Sequence, residues 1–259
     1  MIRAVVPGAA GKMGKMLCDA IAADARVSLH AAVERKGHAG VGTEAAPGIP
    51  IVDDFAAAID GADVYIDFTA PEATRALVED AARRRVAGVI GTTGLAPEAR
   101  AAIFHAAAHI PVVVAPNFSL GINLLLGLAE QAARALGSEY DLEVVEVHHR
   151  LKRDAPSGTA IALAEALARG RDTNLAQVKR YAREGDIGPR ADDEIGVVAV
   201  RGGDVVGEHT VLFLGPAERI ELVHRAGSRL LFARGAVRAA AWVAGKPPGV
   251  YSMKDVLGL

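Results

Sequence analysis

The N-terminal segment alternates apolar runs with a glycine-rich turn, and this order restricts the possible folds more than any other feature of the sequence. Residues 2–6 form a short apolar run that predicts a strand, and 27–33 form a second such run. Between them lie the turn 8–14, with three glycines, and a helical run over 15–23. A strand, a Gly-rich turn, a helix and a strand in this order predict a dinucleotide-binding βαβ unit.

The glycines of this turn have separate roles in such a unit. Gly8 allows the tight turn, Gly11 lets a pyrophosphate approach the backbone, and Gly14 lets the helix pack closely on the strand. Ala10 stands where the commoner form of the motif has its second glycine. The alternative is a tight βα turn whose glycines serve packing only.

The residues after the second strand bear on which nucleotide is bound. Glu34 stands 20 positions past Gly14, where a carboxylate accepts hydrogen bonds from ribose hydroxyls and favours NADH. Arg35 follows, and together with Lys36 it could pair with a 2′-phosphate and favour NADPH. The two side-chain types together predict that both NADH and NADPH are accepted; an exposed polar loop is the alternative.

Strands and helices continue to alternate through the first half of the chain. The patterns predict a Gly-rich loop over 37–50, strands at 64–68, 88–90 and 112–114, and helices at 71–85 and from Pro97 onward. This alternation predicts a parallel sheet, whose ligands bind outside the carboxyl ends of the strands. The loops expected there are 8–14, 91–94 and 115–118. Thr92, Thr93 and Asn117 offer polar groups in them, although turn formation explains these residues equally.

The character of the sequence changes after Leu120. The patterns predict helices at 122–136, 161–168 and 228–244, a strand at 142–147, and three strands that alternate like antiparallel ones at 195–200, 209–213 and 219–223. The last of these helices is expected to end the fold. We therefore predict an α/β protein: a Rossmann-like, parallel-sheet dinucleotide-binding domain plus an α+β domain with a mixed or antiparallel sheet.

Titratable groups are concentrated where the strand 142–147 ends. His148, His149 and Lys152 stand there, followed by a Pro-Ser-Gly-Thr turn and a helix. Ser157 is a natural N-cap, and the free backbone N–H groups of the first turn could hold a carboxylate. The segment therefore predicts an anion-binding helix end beside an acid/base cluster. The alternative is a polar loop with an ordinary cap; a metal site is not expected, because the ligand spacings of such sites are missing.

Composition excludes several classes of protein. The formal net charge is −2, so no basic field attracts nucleic acid or a membrane surface. Cys18 is the only cysteine, which excludes an internal disulfide and suits a reducing compartment. Met1 leads directly into the first strand, which is not typical of a signal peptide. These features predict a cytoplasmic enzyme.

Several motifs, in order along essentially the whole chain, resemble those of the 4-hydroxy-tetrahydrodipicolinate reductase (dihydrodipicolinate reductase) family. The most specific is the segment 143–160, which contains His-His-Arg-Leu-Lys-Arg-Asp-Ala-Pro-Ser-Gly-Thr. The others lie at 8–15, 33–35, 66–69, 89–94, 116–123, 203–210 and 234–257. Two positions depart from some members: Lys12 replaces Arg, and Ala70 replaces Arg, and both leave the cofactor preference open.

The resemblance implies roles for individual residues. The residues implied to contact the cofactor are Gly8, Ala9, Ala10, Gly11, Lys12, Met13, Glu34, Arg35, Gly91, Thr92, Thr93, Ala115, Pro116, Asn117 and Phe118. His148 matches the proton donor/acceptor and Lys152 the proton donor, whereas His149, Gly158 and Thr159 match substrate-binding positions; no metal ligand is implied.

The resemblance also implies the reaction and the organisation of the chain. The expected activity is the NADH- or NADPH-dependent reduction of 4-hydroxy-tetrahydrodipicolinate, with loss of water, in diaminopimelate and lysine biosynthesis. The expected dinucleotide-binding domain covers 1–119 and is completed by 229–259; a substrate-binding and tetramerisation domain covers 120–228, in a homotetramer. The alternatives are another nicotinamide-dependent oxidoreductase, such as an amino-acid dehydrogenase, and a non-enzymatic nucleotide-binding regulator.

Overall fold

A computed structural model describes residues 1–259 of the chain. The chain forms two compact units. Unit 1 comprises Met1–Leu120 and Leu230–Leu259, and unit 2 comprises Gly121–Arg229. No helix in the structure is both long and apolar enough to cross a membrane.

Unit 1 is built around an eight-stranded sheet. Its strands are β1 (Ile2–Pro7), β2 (Val27–Val33), β3 (Glu44–Ala46), β4 (Ile49–Val52), β5 (Val64–Asp67), β6 (Ala87–Ile90), β7 (Pro111–Val114) and β13 (Gly249–Tyr251). The sheet order is β13-β7-β6-β5-β1-β2-β4-β3, and every pairing is parallel except β3 with β4. The predicted Rossmann-like parallel sheet is confirmed.

The helices of unit 1 cover this sheet. They are α1 (Lys12–Ala22), α2 (Phe55–Ala58), α3 (Pro71–Arg84), α4 (Pro97–Ala106), α8 (Leu230–Val243) and α9 (Met253–Leu257). The central strands are buried along their length, as Ala4, Val5 and Val6 show with no exposed surface, because helices shield both faces of a parallel sheet. Pro71 and Pro97 occupy the first turns of α3 and α4, where a missing N–H costs no hydrogen bond.

Unit 2 is a five-stranded sheet with helices on one face. Its strands are β8 (Asp141–His148), β9 (Lys179–Arg180), β10 (Ile195–Arg201), β11 (Glu208–Gly215) and β12 (Glu218–Arg225), in the order β12-β11-β8-β10-β9. Its helical elements are α5 (Leu120–Leu136), a 3₁₀ turn (Gly137–Glu139), α6 (Gly158–Gly170) and α7 (Leu175–Val178). Leu163, Ala164 and Leu167 of α6 are buried in the same core cluster as Val144 and Val197 of the sheet. The predicted α+β region with a mixed sheet is confirmed.

Three details of the prediction were wrong. The predicted loop 37–50 overlaps the short hairpin β3–β4, whose strands of three and four residues are too short to be recognised in the sequence. β10 pairs in parallel with β8, because the segment carrying α6 and α7 carries the chain back to the start of the sheet before β10 begins. The helix predicted at 228–244 is not the last element, since β13 and α9 follow it and β13 extends the sheet of unit 1 beside β7.

Candidate active site

The glycine turn of unit 1 is built on close backbone contacts. Gly8 has φ 71°, a conformation that favours glycine, and the N–H of Gly11 donates to its carbonyl oxygen at 3.0 Å. A Cβ on Gly14 would lie 2.1 Å from the same oxygen, so only glycine lets α1 start this close to β1. No side chain caps the start of α1, and Ala9, Ala10, Lys12 and Met13 lie in the turn and the first helical turn. The backbone donors at this helix end suit an anion such as pyrophosphate.

Glu34 and Arg35 lie directly beyond the carboxyl end of β2. The N–H of Glu34 donates to the Val52 carbonyl at 2.8 Å, which fixes the start of this loop beside β4. The Glu34 carboxylate accepts the Arg35 N–H at 3.0 Å through Oε1, while the Arg35 side chain is exposed. A carboxylate and an exposed guanidinium are therefore available side by side.

A buried carboxylate that sequence reasoning missed holds the loop after β6. Asp67 ends β5 with no exposed surface and accepts hydrogen bonds from Thr69 Oγ1 at 2.6 Å, Thr74 Oγ1 at 2.7 Å and Thr92 Oγ1 at 3.0 Å. Thr92 is therefore fixed and buried, whereas Thr93 is exposed. The sequence did contain a signal for this buried carboxylate, because Asp67 directly follows the apolar run 64–66.

The three predicted loops meet at one edge of the sheet. A Cβ on Gly91 would lie 2.3 Å from the ring of Phe68, and one on Gly8 would lie 3.0 Å from Thr69 Cγ2. The Phe68 ring packs on buried Phe118 with centroids 5.3 Å apart. The segment 68–69 thus joins the loop 8–14 to the loops 91–94 and 115–118. In the last of these, Ala115 is buried, Pro116 is exposed, and Asn117 Oδ1 accepts the Ser119 N–H at 2.8 Å.

The candidate acid/base cluster of unit 2 lies on the buried face of its sheet. Leu142, Val144, Glu146 and His148 alternate along β8 as the buried positions, so the strand changes from apolar to titratable on one face. His148 is 8 % exposed and Glu146 is not exposed at all. His148 Nδ1 lies 2.5 Å from Glu146 Oε2.

Arg201 and Ser157 complete the surroundings of Glu146. Arg201 is the register partner of His148 on β10, and its Nη1 and Nη2 each donate to one carboxylate oxygen of Glu146 at 2.8 Å. The Ser157 N–H donates to Glu146 Oε1 at 2.9 Å. Burial raises the pKa of Glu146, but the hydrogen bonds from Arg201, His148 and Ser157 outweigh it, and the net pKa lies below the ordinary value.

His209 adds a second buried imidazole beside this group. Its ring packs edge-on against His148 with centroids 5.2 Å apart, and its Nε2 lies 3.3 Å from Ser157 Oγ. Burial, together with the nearby charge of His148, lowers the pKa of His209 to about 4. This imidazole is therefore neutral near pH 7.

The loop after β8 carries the remaining candidates. The His149 N–H donates to the Val205 carbonyl at 2.8 Å, and its side chain is half-buried. Lys152 Nζ lies 2.9 Å from both carboxylate oxygens of Asp154. The hydrogen bond from Lys152 lowers the pKa of Asp154, so the ammonium is balanced by a partner that sequence reasoning did not identify.

The start of α6 has the predicted form. Ser157 Oγ accepts the Ala160 N–H at 3.1 Å, which confirms the predicted N-cap. Gly158 is exposed, and a Cβ on it would meet no atom within 4 Å. Thr159 follows in the first turn, half-buried. An anion can therefore approach the backbone of this helix end from solvent.

Strand register explains why Glu146, Arg201 and His209 escaped notice. They are separated by up to 63 positions in sequence, yet β10 pairs Arg201 with His148 and β11 pairs His209 with Glu146. The available signals were Glu146 two residues before His148, which places both on one strand face, and the charged end of β10. No group of three or more His, Cys, Asp or Glu residues is arranged to hold a metal ion.

The fold and these two sites define an oxidoreductase that uses a nicotinamide dinucleotide. A dipicolinate-bound dihydrodipicolinate reductase from Paenisporosarcina sp. TG-14 superimposes with a TM-score of 0.78 at 25 % identity, covering 97 % of each chain. Family models for the N-terminal and C-terminal parts of dihydrodipicolinate reductase match residues 2–118 and 121–257. The chain belongs to the dihydrodipicolinate reductase family.

Full-length relatives agree with this assignment. The 4-hydroxy-tetrahydrodipicolinate reductase of Anaeromyxobacter sp. (strain Fw109-5) is 54 % identical over 264 residues, covering 100 % of this chain and 98 % of the relative. That of Thiobacillus denitrificans is 50 % identical, covering 100 % and 99 %. The predicted family is confirmed: the chain is an enzyme of diaminopimelate and lysine biosynthesis, not a nucleotide-binding regulator.

Proposed function

We propose that the loops of unit 1 hold the cofactor, while the cluster of unit 2 binds the substrate and supplies a proton to it. The activity is that of the family, the reduction of 4-hydroxy-tetrahydrodipicolinate with loss of water. The observation that carries the assignment of roles is the buried Glu146–His148 pair beside the open start of α6. This pair and this helix end support the proposal of an acid and an anion site within one unit.

The substrate has two carboxylates on a six-membered cyclic imine, and each chemical step needs a defined group. When bound, a nicotinamide cofactor would supply the hydride that C4 needs after water has left. Electron density then moves toward the ring nitrogen, so an acid must deliver a proton there. His148 is our candidate for this acid, and Lys152 is the second donor, held by Asp154 at 2.9 Å.

The carboxylate anchor is the N-terminal turn of α6. The N–H groups of Gly158 and Thr159 lie in the first turn of the helix, at the end where its dipole has a partial positive charge. Lys152 and half-buried His149 precede this turn and add polar side chains. The relative from Paenisporosarcina was solved with dipicolinate bound, and this planar dicarboxylate has the same two carboxylates as the substrate.

For the cofactor we propose that both NADH and NADPH are used. The Glu34 carboxylate has Oε2 available for a ribose hydroxyl while Oε1 accepts the Arg35 N–H. The exposed Arg35 guanidinium can pair with a 2′-phosphate when one is present. The pyrophosphate would lie on the backbone of 8–13, with the nicotinamide side near Gly91–Thr93 and Ala115–Phe118.

We further propose a homotetramer formed through the outer face of the unit 2 sheet. Val198, Val145, Thr210 and Val223 are register neighbours across four strands of this face, and Val198, Val200 and Val223 are 39 %, 43 % and 40 % exposed. An apolar row of this kind favours contact with another copy. Light scattering of the purified chain gives the assembly size, and Val198→Lys should reduce it.

A reducing compartment such as the cytoplasm suits the single buried thiol of Cys18.

The substrate site is tested with pyridine-2,6-dicarboxylate in steady-state assays that follow nicotinamide oxidation. This analogue should compete with the substrate and not with the cofactor. Thr159→Val should raise KM and weaken the inhibitor together, because both use one anchor, whereas Lys152→Ala should also lower kcat. If the analogue competes with the cofactor and is insensitive to both changes, the proposed anchor is wrong.

A further inference from the structure

Glu146 is a fully enclosed carboxylate in the acid/base cluster of unit 2. It has no exposed surface, and four hydrogen bonds reach its two oxygens: from Ser157 N and Arg201 Nη2 to Oε1, and from Arg201 Nη1 and His148 Nδ1 to Oε2. A buried carboxylate is costly unless it is paired and fully hydrogen-bonded. The surroundings of Glu146 meet both conditions.

We propose that Glu146 and Arg201 are positioning residues for His148, fixing which of its two ring nitrogens exchanges a proton with the substrate. This inference rests on the proposed role of His148 as the acid. Glu146 accepts the hydrogen bond from His148 Nδ1–H, which leaves Nε2 as the ring nitrogen that exchanges a proton with the substrate. Arg201 balances the carboxylate and keeps it in place.

The tautomer follows from counting donors. An ionised carboxylate only accepts hydrogen bonds, and its pKa lies below the ordinary value because the hydrogen bonds outweigh burial. At 2.5 Å from Glu146 Oε2, Nδ1 must therefore carry the hydrogen. Carboxylates commonly hold a catalytic imidazole in one tautomer and orientation in this manner.

The residue next to His148 Nε2 is a glycine, which leaves space beside this nitrogen. A Cβ on Gly207 would lie 2.9 Å from His148 Nε2, so the chain places a residue without a side chain next to this atom. His209 lies edge-on to the ring without a hydrogen bond between the imidazoles. Nε2 is thus not engaged by any hydrogen bond that the structure shows within unit 2, as a proton-exchanging nitrogen requires.

The charges around His148 are nearly balanced. Glu146 and Arg201 form one pair, and Lys152 and Asp154 form a second. The imidazoles of His209 and His224 face the same side of the sheet, and burial lowers the pKa of each. Because the carboxylate is paired with Arg201, its own charge is balanced while it orients the His148 ring.

Arg201 also connects the strand pair to the loop that carries Lys152. Its Nη2 donates to the Asp154 carbonyl at 2.7 Å, in addition to Glu146 Oε1. One guanidinium thus fixes the carboxylate behind His148 and the backbone beside Lys152. Both candidate proton donors depend on the same side chain.

Glu146→Gln gives a specific expectation. The Ser157 N–H cannot reverse its polarity, so the amide oxygen should stay on that side and the amide NH₂ should face His148. Nδ1 then has to accept a hydrogen bond, so the neutral ring carries its proton on Nε2. The doubly protonated ring, which has to donate a proton to the substrate, no longer has an acceptor for its Nδ1–H. We expect kcat to fall about 10²-fold or more, while cofactor affinity and pyridine-2,6-dicarboxylate affinity stay unchanged.

The experiment compares the wild type, Glu146→Gln and a control, Glu130→Gln. Glu130 is also a carboxylate held by two arginines, Arg134 and Arg169, but it lies on α5, and its substitution should leave kcat unchanged. Nitrogen-15 spectra of labelled histidine report which ring nitrogen carries the proton, and the His148→Gln spectrum identifies the His148 signals among the eight histidines. The wild type should show a proton on Nδ1 and Glu146→Gln a proton on Nε2.

The outcomes separate three cases. Loss of kcat together with the tautomer change supports the inference, whereas near-normal kcat in Glu146→Gln, or a loss without a tautomer change, overturns it. If Glu146→Gln does not fold, the double variant Glu146→Leu/Arg201→Leu removes both charges together, a change that buried pairs often tolerate; folded protein with low kcat supports the inference and wild-type kcat overturns it. If His148→Gln itself keeps normal kcat, the proposed role of His148 has failed, and the positioning role fails with it.

Discussion

The glycine turn of unit 1 and the charged cluster of unit 2 are built by opposite means. The turn removes side chains: a Cβ on Gly14 would lie 2.1 Å from the Gly8 carbonyl, and the helix end behind Gly11 has no side-chain cap. The cluster adds side chains, burying Glu146 completely and balancing it with Arg201. The turn tolerates no added side-chain volume at Gly14, whereas the cluster requires that each buried charge keep its partner.

This difference determines which changes should destabilise or inactivate each region. A turn made of backbone responds to added volume and is insensitive to pH. A cluster made of buried titratable groups responds to lost charge partners and to protonation, because burial magnifies both.

The largest effect should come from the pH dependence of the cluster. The pKa of His209 is lowered to about 4 from 6.5, so the unfolded chain binds a proton below pH 6.5 while the folded chain does not until about pH 4. Stability is therefore full above pH 6.5 and falls through this window, by about 3 kcal/mol. Urea unfolding between pH 7 and 4 should show the loss, and His209→Gln should remove most of it, leaving the part that comes from His224, whose pKa burial also lowers.

A matched control for that measurement is the exposed His109. His109→Gln should leave the pH dependence of stability as in the wild type. Equal slopes for the wild type and His209→Gln between pH 6.5 and 4 would show that His209 is not the responsible group.

The next largest effect should separate two glycines of the turn. Gly14→Ala places a Cβ 2.1 Å from the Gly8 carbonyl oxygen and 2.6 Å from Ala9 Cα, so backbone must move, at a cost of about 2 kcal/mol. Gly11→Ala meets only the Gly8 oxygen at 3.2 Å and should keep nearly normal stability. Thermal unfolding of the two variants decides this. Equal midpoints would mean that the turn is looser than its contacts indicate.

The smallest effect should concern cofactor choice. Arg35 is exposed, so its contact with a 2′-phosphate is weakened by solvent, and Arg35→Ala should cost NADPH about 1 kcal/mol, close to fivefold in affinity. NADH affinity should be unchanged. Fluorescence titration with both cofactors is the measurement, and equal losses for the two would remove Arg35 from any role in reading that phosphate.

The sequence predicted the turn better than the cluster, and the reason is physical. The glycines, the flanking strands and the acidic Glu34 all act within one local segment, so their spacing carries the information. Glu146, Arg201 and His209 come together only through strand register, which depends on β10 lying parallel to β8. The sequence pattern favoured antiparallel strands there, and so Arg201 and His209 could not be inferred as neighbours of His148, whereas Glu146, two residues before His148 on the same strand, left a signal in the sequence. The hairpin β3–β4 was missed because its strands are too short to show a pattern.

The central claim is that cofactor binding and proton transfer depend on separate regions. The most direct test measures kcat and NADPH affinity for two folded variants, His148→Gln and Gly11→Val. His148→Gln should lose roughly 10²- to 10⁴-fold in kcat with normal NADPH affinity, whereas Gly11→Val should lose NADPH binding and retain pyridine-2,6-dicarboxylate binding. A His148→Gln enzyme with near-normal kcat, or a Gly11→Val enzyme with normal NADPH affinity, would contradict the account.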